Sequence, residues 1–296
     1  MLSILIPTYN YNVFPLAKSL EKQAVDLKIP FEIICRDDGS NSALNKENEN
    51  INQLTNSKFI EAETNKGLST NRNEMADASL YDYLLFIDGD SVIIDTNYLK
   101  NYVDAIKDNP DVVYGGRVHP KDVETTRKLR WKYGITHEDT KASERIKNEY
   151  ACTLFNNTVI KKEVFNTIYF EKDISEYGHE DTLFAYQLSL IKANVIHIEN
   201  PVLHGDVDFN DVFFRKTHNS IKNLNYIYTK NIIDTDFVKF LKVFSKLKKY
   251  RLHYILSLAH KILYPLFSLN LKSNKPSLFV FNMFRLTYFC HINLKT

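Results

Sequence analysis

The chain has 296 residues, 44% of them hydrophobic, which is enough to bury a full core in one or two domains. Its three cysteines, Cys35, Cys152 and Cys290, are far apart and lack CxxC spacing, which excludes a disulfide framework and a thiolate metal site. The net charge of +2 conceals an asymmetry, because residues 209–296 hold 15 Lys and Arg against 3 Asp and Glu, leaving 23 against 33 for residues 1–208.

The beginning of the chain has the pattern of a βαβ unit. Apolar, β-branched runs at residues 2–6 and 31–35 each end in turn residues, and an amphipathic helical pattern at residues 14–25 separates them. No basic region or cleavage site precedes the first run, which predicts a cytoplasmic protein. The Asn-rich segment 41–56 is expected to be a loop or a loosely held helix.

The alternation of strands and helices continues to residue 198. Strands are predicted at residues 59–61, 83–87, 112–114 and 195–198, and helices at residues 68–78, 97–107 and 182–191. Such alternation predicts an α/β fold with a mostly parallel sheet flanked by helices. Ligands of such folds bind at the carboxyl ends of the strands.

The run at residues 83–87 ends in two carboxylates, Asp88 and Asp90, separated by Gly89. On an extended chain this spacing directs both side chains to one face, where they can converge on a divalent cation bound to phosphates. A strand that ends in Asp and Gly is also an ordinary turn, and the motif alone leaves that interpretation open.

Aromatic and aliphatic residues alternate with Lys at helical spacing after residue 208, which predicts a helical region over residues 209–296 behind an α/β domain of residues 1–208. The apolar stretches 252–269 and 278–294 are interrupted by charged and His residues, so neither is expected to span a bilayer. The basic end carries no helix-turn-helix, zinc-knuckle or ribonucleoprotein pattern, so nucleic acid is not an expected partner.

The basic and apolar residues of 237–289 predict attachment to the anionic inner face of the cell membrane. The alternative is that the apolar stripe packs on the α/β domain or in a homodimer. Both interpretations stay open at this point.

Four motifs in chain order resemble those of the family-2 glycosyltransferases with the GT-A fold, and the resemblance covers residues 1–230. The motifs are Pro7-Thr8-Tyr9-Asn10, Asp37-Asp38-Gly39-Ser40, the segment from Asn65 through Gly67 to Arg72, and Asp88-Gly89-Asp90. The resemblance implies an enzyme that transfers a sugar, a hexosyl or N-acetylhexosaminyl group, from a nucleotide-diphosphate donor, with UDP as the expected nucleotide. It also implies a saccharide or lipid-linked acceptor and a role in surface polysaccharide assembly.

Donor and metal contacts follow from the same resemblance. It implies that Asp38 hydrogen-bonds the base, that Arg72 approaches the diphosphate, and that Asp90 ligates Mn²⁺ or Mg²⁺ while Asp88 reaches the ribose or the metal. The predicted donor-binding residues are Pro7, Thr8, Tyr9, Asn10, Asp38, Asn65, Gly67, Arg72, Asp88 and Gly89.

Two later segments extend the resemblance. Tyr177-Gly178-His179-Glu180-Asp181 is similar to the family's acidic pair at the acceptor site, and the segment 200–204 to the one that supplies a final metal ligand, His204. An inverting transfer needs a base near the acceptor hydroxyl, and we predict Asp181 as that base, with Glu180 positioning the acceptor. The predicted acceptor-binding residues are Trp131, Tyr133, Asn156, Gly178 and His179.

Two other functions are compatible with parts of the sequence. Residues 86–92 also resemble the nucleophile strand of haloacid-dehalogenase-type phosphatases, in which Asp88 would be the nucleophile. That strand normally opens its domain, whereas two βα units precede it here. A non-catalytic membrane-associated scaffold would be favoured if the acidic motifs were degraded, and both are intact.

Overall fold

The computed structural model describes residues 1–172 and 178–295, so Tyr177 of the predicted acceptor motif lies outside the described residues. The described residues form two compact units. The first unit comprises residues 1–120, 138–172 and 181–206, and the second comprises residues 121–137, 178–180 and 207–295.

Within the described residues, ten strands form two sheets. They are β1 (Leu2–Thr8), β2 (Phe31–Asp37), β3 (Ser57–Glu61), β4 (Tyr83–Ile87), β5 (Ser91–Val92), β6 (Val112–Tyr114), β7 (Arg117–Val118), β8 (Asn157–Lys161), β9 (Val195–His197) and β10 (Val202–His204). The main sheet has the order β3-β2-β1-β4-β8-β6-β9, and the small sheet has the order β5-β10-β7. Only β8 runs against its neighbours in the main sheet, so the prediction of a mostly parallel sheet is confirmed.

Twelve α-helices are described. They are α1 (Phe14–Leu27), α2 (Asn45–Asn48), α3 (Leu68–Asp77), α4 (Tyr98–Ala105), α5 (Lys128–His137), α6 (Ala142–Arg145), α7 (Lys162–Ile168), α8 (Glu180–Leu190), α9 (Asn210–Thr229), α10 (Lys239–Lys249), α11 (Leu252–Leu271) and α12 (Leu278–Asn293). Short 3₁₀ turns lie at Glu49–Gln53, Ile106–Asp108, Thr125–Arg127 and Ile146–Asn148.

The central strand β1 is buried along its whole length, as its continuous apolar sequence predicts for a parallel strand covered on both faces. Alternate residues enter different cores: Ile4 belongs to the cluster with α1, whereas Leu5 belongs to the cluster with α7 and α8. Leu5 lies opposite Ile34 of β2 and Phe86 of β4. This register fixes where the three strands end.

Strand register brings the polar turns to one edge of the main sheet. Thr8 at the end of β1 pairs with Asp37 at the end of β2, and Ile87 at the end of β4 pairs with Asn157 at the start of β8. In the small sheet His204 pairs with Ser91, which places β10 beside the segment that follows β4.

The Asn-rich segment 41–56 contains α2 and the 3₁₀ turn Glu49–Gln53, and it is anchored. Asn48 is fully buried, accepts a hydrogen bond from the amide of Val13 at 2.8 Å, and donates one to the carbonyl of Tyr11 at 2.9 Å. These bonds hold the segment against the start of α1.

The second unit is a helical region, as predicted for the C-terminal part of the chain. Its core contains apolar and aromatic side chains from α5, α9, α11 and α12, including Leu129, Phe213, Phe214, Phe267, Leu271, Phe281 and Phe284. Within the part of the chain that the structure describes, no helix combines the length and the apolar character that a membrane crossing requires.

Candidate active site

Asp90 and His204 come together at the carboxyl edge of the first unit. His204 Nε2 lies 2.9 Å from Asp90 Oδ2, and the amide of Gly205 donates to the carbonyl of Asp90 at 3.0 Å. The pairing of β10 with β5 produces this contact, because β5 continues directly from Asp90. Two residues that the sequence proposed as metal ligands are therefore neighbours.

The Asp90 and His204 pair fits a divalent ion in donor chemistry. A carboxylate oxygen and an imidazole nitrogen this close can bind one Mn²⁺, with phosphate oxygens completing its shell. Among residues 1–172 and 178–295, no group of three or more His, Cys, Asp and Glu side chains is arranged to hold a metal by itself. The protein thus offers two metal ligands, Asp90 and His204, and Asp88 stays a predicted third ligand.

His119 links His204 to a further carboxylate. Its Nε2 lies 3.2 Å from His204 Nδ1, and its Nδ1 lies 2.6 Å from Asp139 Oδ1. The two imidazole rings meet edge to face, with centroids 5.1 Å apart. The chain of contacts from Asp139 through His119 fixes the orientation of the His204 ring.

Arg72 lies between two carboxylates. Its guanidinium donates to Asp88 Oδ1 at 3.0 Å and to Asp181 Oδ1 at 2.9 Å, and its side chain is only 2% exposed. The other oxygen of Asp181 accepts from the amide of Phe155 at 3.1 Å. Arg72 thus ties the motif after β4 to the start of α8, and its contact with a diphosphate stays a prediction.

Asp88 has a second arginine partner, Arg117, whose Nη2 donates to Asp88 Oδ2 at 3.2 Å. Burial raises the pKa of Asp88, while Arg72 opposes that shift and Asp90 adds to it. Asn156 lies beside the same guanidinium, and its amide oxygen, turned toward Arg117, accepts from Nε at 2.7 Å. Asp88 is therefore charge-compensated by the protein itself.

The turn after β2 is built around two buried aspartates. Asp38 accepts hydrogen bonds from the amides of Lys66 and Gly67 at 3.0 and 2.8 Å. Asp37 accepts from the amide and hydroxyl of Ser40, both at 2.7 Å. These bonds fix the two predicted donor-binding turns to each other, and the base contact of Asp38 stays a prediction.

Gly39 makes that arrangement possible. Its φ of +69° is in the left-handed region, and a Cβ at this position would lie 2.4 Å from the carbonyl carbon of Thr64. Asn65, which accepts from the amide of Gly67 at 3.0 Å, follows in the same loop.

The turn after β1 lies beside the acidic motif. A Cβ on Gly89 would approach Val13 within 2.9 Å and the carbonyl of Pro7 within 3.3 Å, so a larger residue between the two aspartates would collide with this turn. Tyr9 is 57% exposed and Thr8 is buried. Asn10 has a φ of 53° and accepts from the hydroxyl of Ser42 at 2.7 Å.

Three predicted acceptor-site residues lie in the second unit. Glu180 Oε2 accepts from the amide of Gly178 at 3.0 Å, and the carbonyl of Gly178 accepts from the side chain of Asn223 at 3.0 Å. His179, between Gly178 and Glu180 in the sequence, has a φ of 75°. Burial, together with Arg285, lowers the pKa of His179 to about 4. The imidazole of His179 is therefore neutral at pH 7.

Trp131 and Tyr133 lie on α5 in the second unit. Lys128 Nζ lies 4.3 Å from the centre of the Trp131 ring. Tyr133 packs against Phe213 and Phe281, with ring centroids 5.7 and 5.6 Å away. Tyr133 therefore serves the aromatic core, and sugar contacts from either residue stay predictions.

Sequence reasoning missed several residues of this edge. Arg117 and His119 have the same i, i+2 spacing as Asp88 and Asp90, and this alternation beyond β6 was the available signal. Glu138 lies 3.2 Å from Arg117. Burial raises the pKa of Tyr11, and Asp90 and then Asp206 raise it further.

The sheet order and the carboxylates at its carboxyl edge define a GT-A type glycosyltransferase fold. The model of the family described as Glycosyl transferase family 2 matches residues 3–169, more than half of the chain. The protein belongs to glycosyl transferase family 2, which confirms the family and the fold class predicted from its motifs. A comparison with curated proteins finds no match.

Solved structures show the same fold. The chain is similar to S. aureus TarS 1–349, with 21% identity and a TM-score of 0.51 over 74% of this chain and 64% of that one. The complex of that protein with UDP-GlcNAc gives 21% identity and a TM-score of 0.50, over 74% and 65%.

A third structure is the mannosyltransferase PcManGT from Pyrobaculum calidifontis in complex with GDP-Man and Mn²⁺. It is 16% identical, with a TM-score of 0.51, over 74% of this chain and 61% of that one. The chain thus spans less than two thirds of the length of these proteins.

Proposed function

We propose that this family-2 protein is a divalent-metal-dependent, inverting glycosyltransferase that uses a nucleotide-diphosphate sugar, with UDP as the nucleotide. The acceptor is a saccharide or a lipid-linked saccharide of cell-surface polysaccharide assembly. The observation that carries the proposal is the 2.9 Å contact between Asp90 and His204. Beside it in the sequence motif, Asp88 forms an ion-pair cluster with Arg72 and Asp181.

Asp90 and His204 would hold Mn²⁺ or Mg²⁺, and the ion would supply the positive charge that stabilises a diphosphate leaving group. His119 orients His204 for this task. For His204 Nε2 to offer its lone pair to a metal, its Nδ1 must carry the proton and donate it to His119 Nε2. His119 Nδ1 then donates to Asp139, so each of the two hydrogen bonds from His204 through His119 to Asp139 has one donor and one acceptor.

Asp181 is the proposed base that accepts the proton of the acceptor hydroxyl. Arg72 and the amide of Phe155 hold the carboxylate in one orientation, and each oxygen retains a lone pair for the acceptor. Glu180, its neighbour in the chain, is proposed to position the acceptor.

A screen of nucleotide sugars tests the proposal. The thermal unfolding temperature should rise with one donor in the presence of Mn²⁺, return to its starting value with chelator, and stay there for Asp90→Ala in either condition. Sugar transfer or donor hydrolysis should follow the same pattern. Full activity in chelator would contradict metal dependence, and an aspartyl-phosphate trapped on Asp88 would support the phosphatase alternative.

A further inference from the structure

Helix α11 has an inverted distribution of side chains. Its buried face, which packs within the second unit, includes the polar residues His253, Ser257 and His260. Ser257 and His260 make polar contacts of 3.3 Å to His291 and Thr287 of α12. A helix that meets water on its outer side normally has polar residues there and apolar residues inside.

The outer face of α11 is aliphatic instead. Ile255, Leu258, Ile262, Leu266 and Leu269 are 65%, 58%, 67%, 62% and 72% exposed. Their spacing of three or four residues places them on one stripe along the helix. A contiguous exposed apolar patch of this size marks an interaction surface rather than ordinary solvent-facing residues.

The neighbouring helices do not share this property. Leu241 and Phe244 of α10 are fully buried, as are Phe284 and Phe289 of α12. Packing within the second unit therefore accounts for these apolar residues of α10 and α12, where Val243 and Phe279 are isolated exposed ones, and leaves the stripe on α11 to be explained.

The charge around the stripe is of one sign. Residues 237–296 contain 11 Lys and Arg and no Asp or Glu. Exposed basic side chains lie at the end of α10, beside the start of α11, within α11 and after it: Lys248, Lys249, Arg251, Lys261, Lys272 and Lys275. Two aromatic residues are also exposed, Tyr250 just before α11 and Phe279 in the first turn of α12.

We propose that the outer face of α11 lies in the surface of an anionic lipid bilayer, with the aliphatic stripe at the acyl boundary and the flanking Lys and Arg at the headgroups. An anionic bilayer combines negatively charged headgroups with an apolar interior, so it is complementary both to the basic side chains and to the aliphatic stripe. A second copy of this face is not, because two such faces would bring only like charges together. The proposal does not depend on the sugar-transfer activity.

Co-sedimentation of the full chain with vesicles tests the proposal. The protein should bind vesicles that contain phosphatidylglycerol, bind phosphatidylcholine vesicles far less, and dissociate as the salt concentration rises, because salt screens the headgroup attraction. Equal recovery in the supernatant with both vesicle types at low salt would overturn the proposal.

A pair of substitutions in the stripe separates the apolar contribution. Ile262→Gln with Leu266→Gln should weaken vesicle binding by about 10-fold or more, because both side chains lose burial in the bilayer. The matched control is Leu80→Gln with Leu190→Gln, two exposed leucines of the first unit, which should bind like the wild type. Equal loss in both variants would overturn the assignment to α11.

A second pair separates the charges. Lys261→Gln with Lys275→Gln should weaken binding to anionic vesicles on the order of 10-fold and reduce its salt dependence. The control is Lys46→Gln with Lys121→Gln, which removes the same charge elsewhere. Light scattering on all variants detects the competing result. A wild-type dimer that the stripe substitutions convert to monomers would show that a second copy of the chain, and not a bilayer, covers the stripe.

Discussion

His119 meets His204 edge to face, with interplanar angle 87° and 3.2 Å between His119 Nε2 and His204 Nδ1. His119 is 8% exposed and is held on its other side by Asp139 at 2.6 Å. The proposed metal ligand His204 is thus oriented by a buried histidine that is itself held by Asp139.

Replacement of His119 should weaken metal binding without removing a ligand. We expect His119→Ala to raise the Kd for Mn²⁺ about 10-fold to 100-fold, because His204 loses the acceptor that fixes its tautomer. His119→Gln should recover part of the affinity, since its amide oxygen can accept from His204. Electron paramagnetic resonance of free Mn²⁺ measures this directly, without turnover.

The control for that experiment is His197→Ala, which removes another buried histidine of the first unit with contacts to Arg145 and Glu149. It should change stability and leave the Mn²⁺ affinity unchanged. Equal Mn²⁺ affinities for wild type, His119→Ala and His119→Gln would show that His204 needs no such support.

Asp88 and Asp90 should respond differently to substitution. Asp88→Ala leaves Arg72 and Arg117, both largely buried, without their shared carboxylate, and should lower the free energy of unfolding by about 3 kcal/mol. Asp90→Ala should abolish metal-dependent transfer with a much smaller loss of stability. Urea unfolding beside Mn²⁺ binding tests both, and a large stability loss confined to Asp90→Ala would reverse the assignment.

Much of the first unit could be predicted because its signals are local. Continuous apolar runs gave β1, β2 and β4, and the turn residues after them gave the carboxyl edge of the sheet. The strands β5, β7, β8 and β10 were not predicted, because each contains polar residues and none is a continuous apolar run.

The contacts of the site could not be predicted for a different reason. Arg72 and Asp181 are 109 residues apart in sequence, and His119 and His204 are 85 apart. Their proximity depends on the register of the whole sheet. The outer face of α11 was equally hidden, because apolar residues on a helix do not themselves reveal which side is buried.

The ion pair of Asp181 with Arg72 leads to a test of the proposed base. Asp181→Asn should reduce transfer by about 100-fold or more while donor and Mn²⁺ binding persist, because the amide keeps the size of the carboxylate and one acceptor oxygen for Arg72 but cannot take a proton. Single-turnover kinetics with bound donor measures the chemical step. Unchanged turnover of bound donor, with lost donor affinity, would give Asp181 a purely structural role.

Acid should destabilise the helical second unit through His260. Burial, together with the nearby His291, His218 and Lys295, lowers the pKa of His260 to about 4. The unfolded chain, with an ordinary histidine pKa of about 6.5, binds the proton first, so stability present above pH 6.5 is lost as the pH falls toward 4.

Urea unfolding at about pH 7.5 and about pH 5 should therefore show a smaller pH-dependent loss of stability in His260→Gln than in the wild type. The same substitution at His137, an exposed histidine of α5, is the matched control, and equal pH dependence in all three proteins would mean that His260 is already protonated in the folded state.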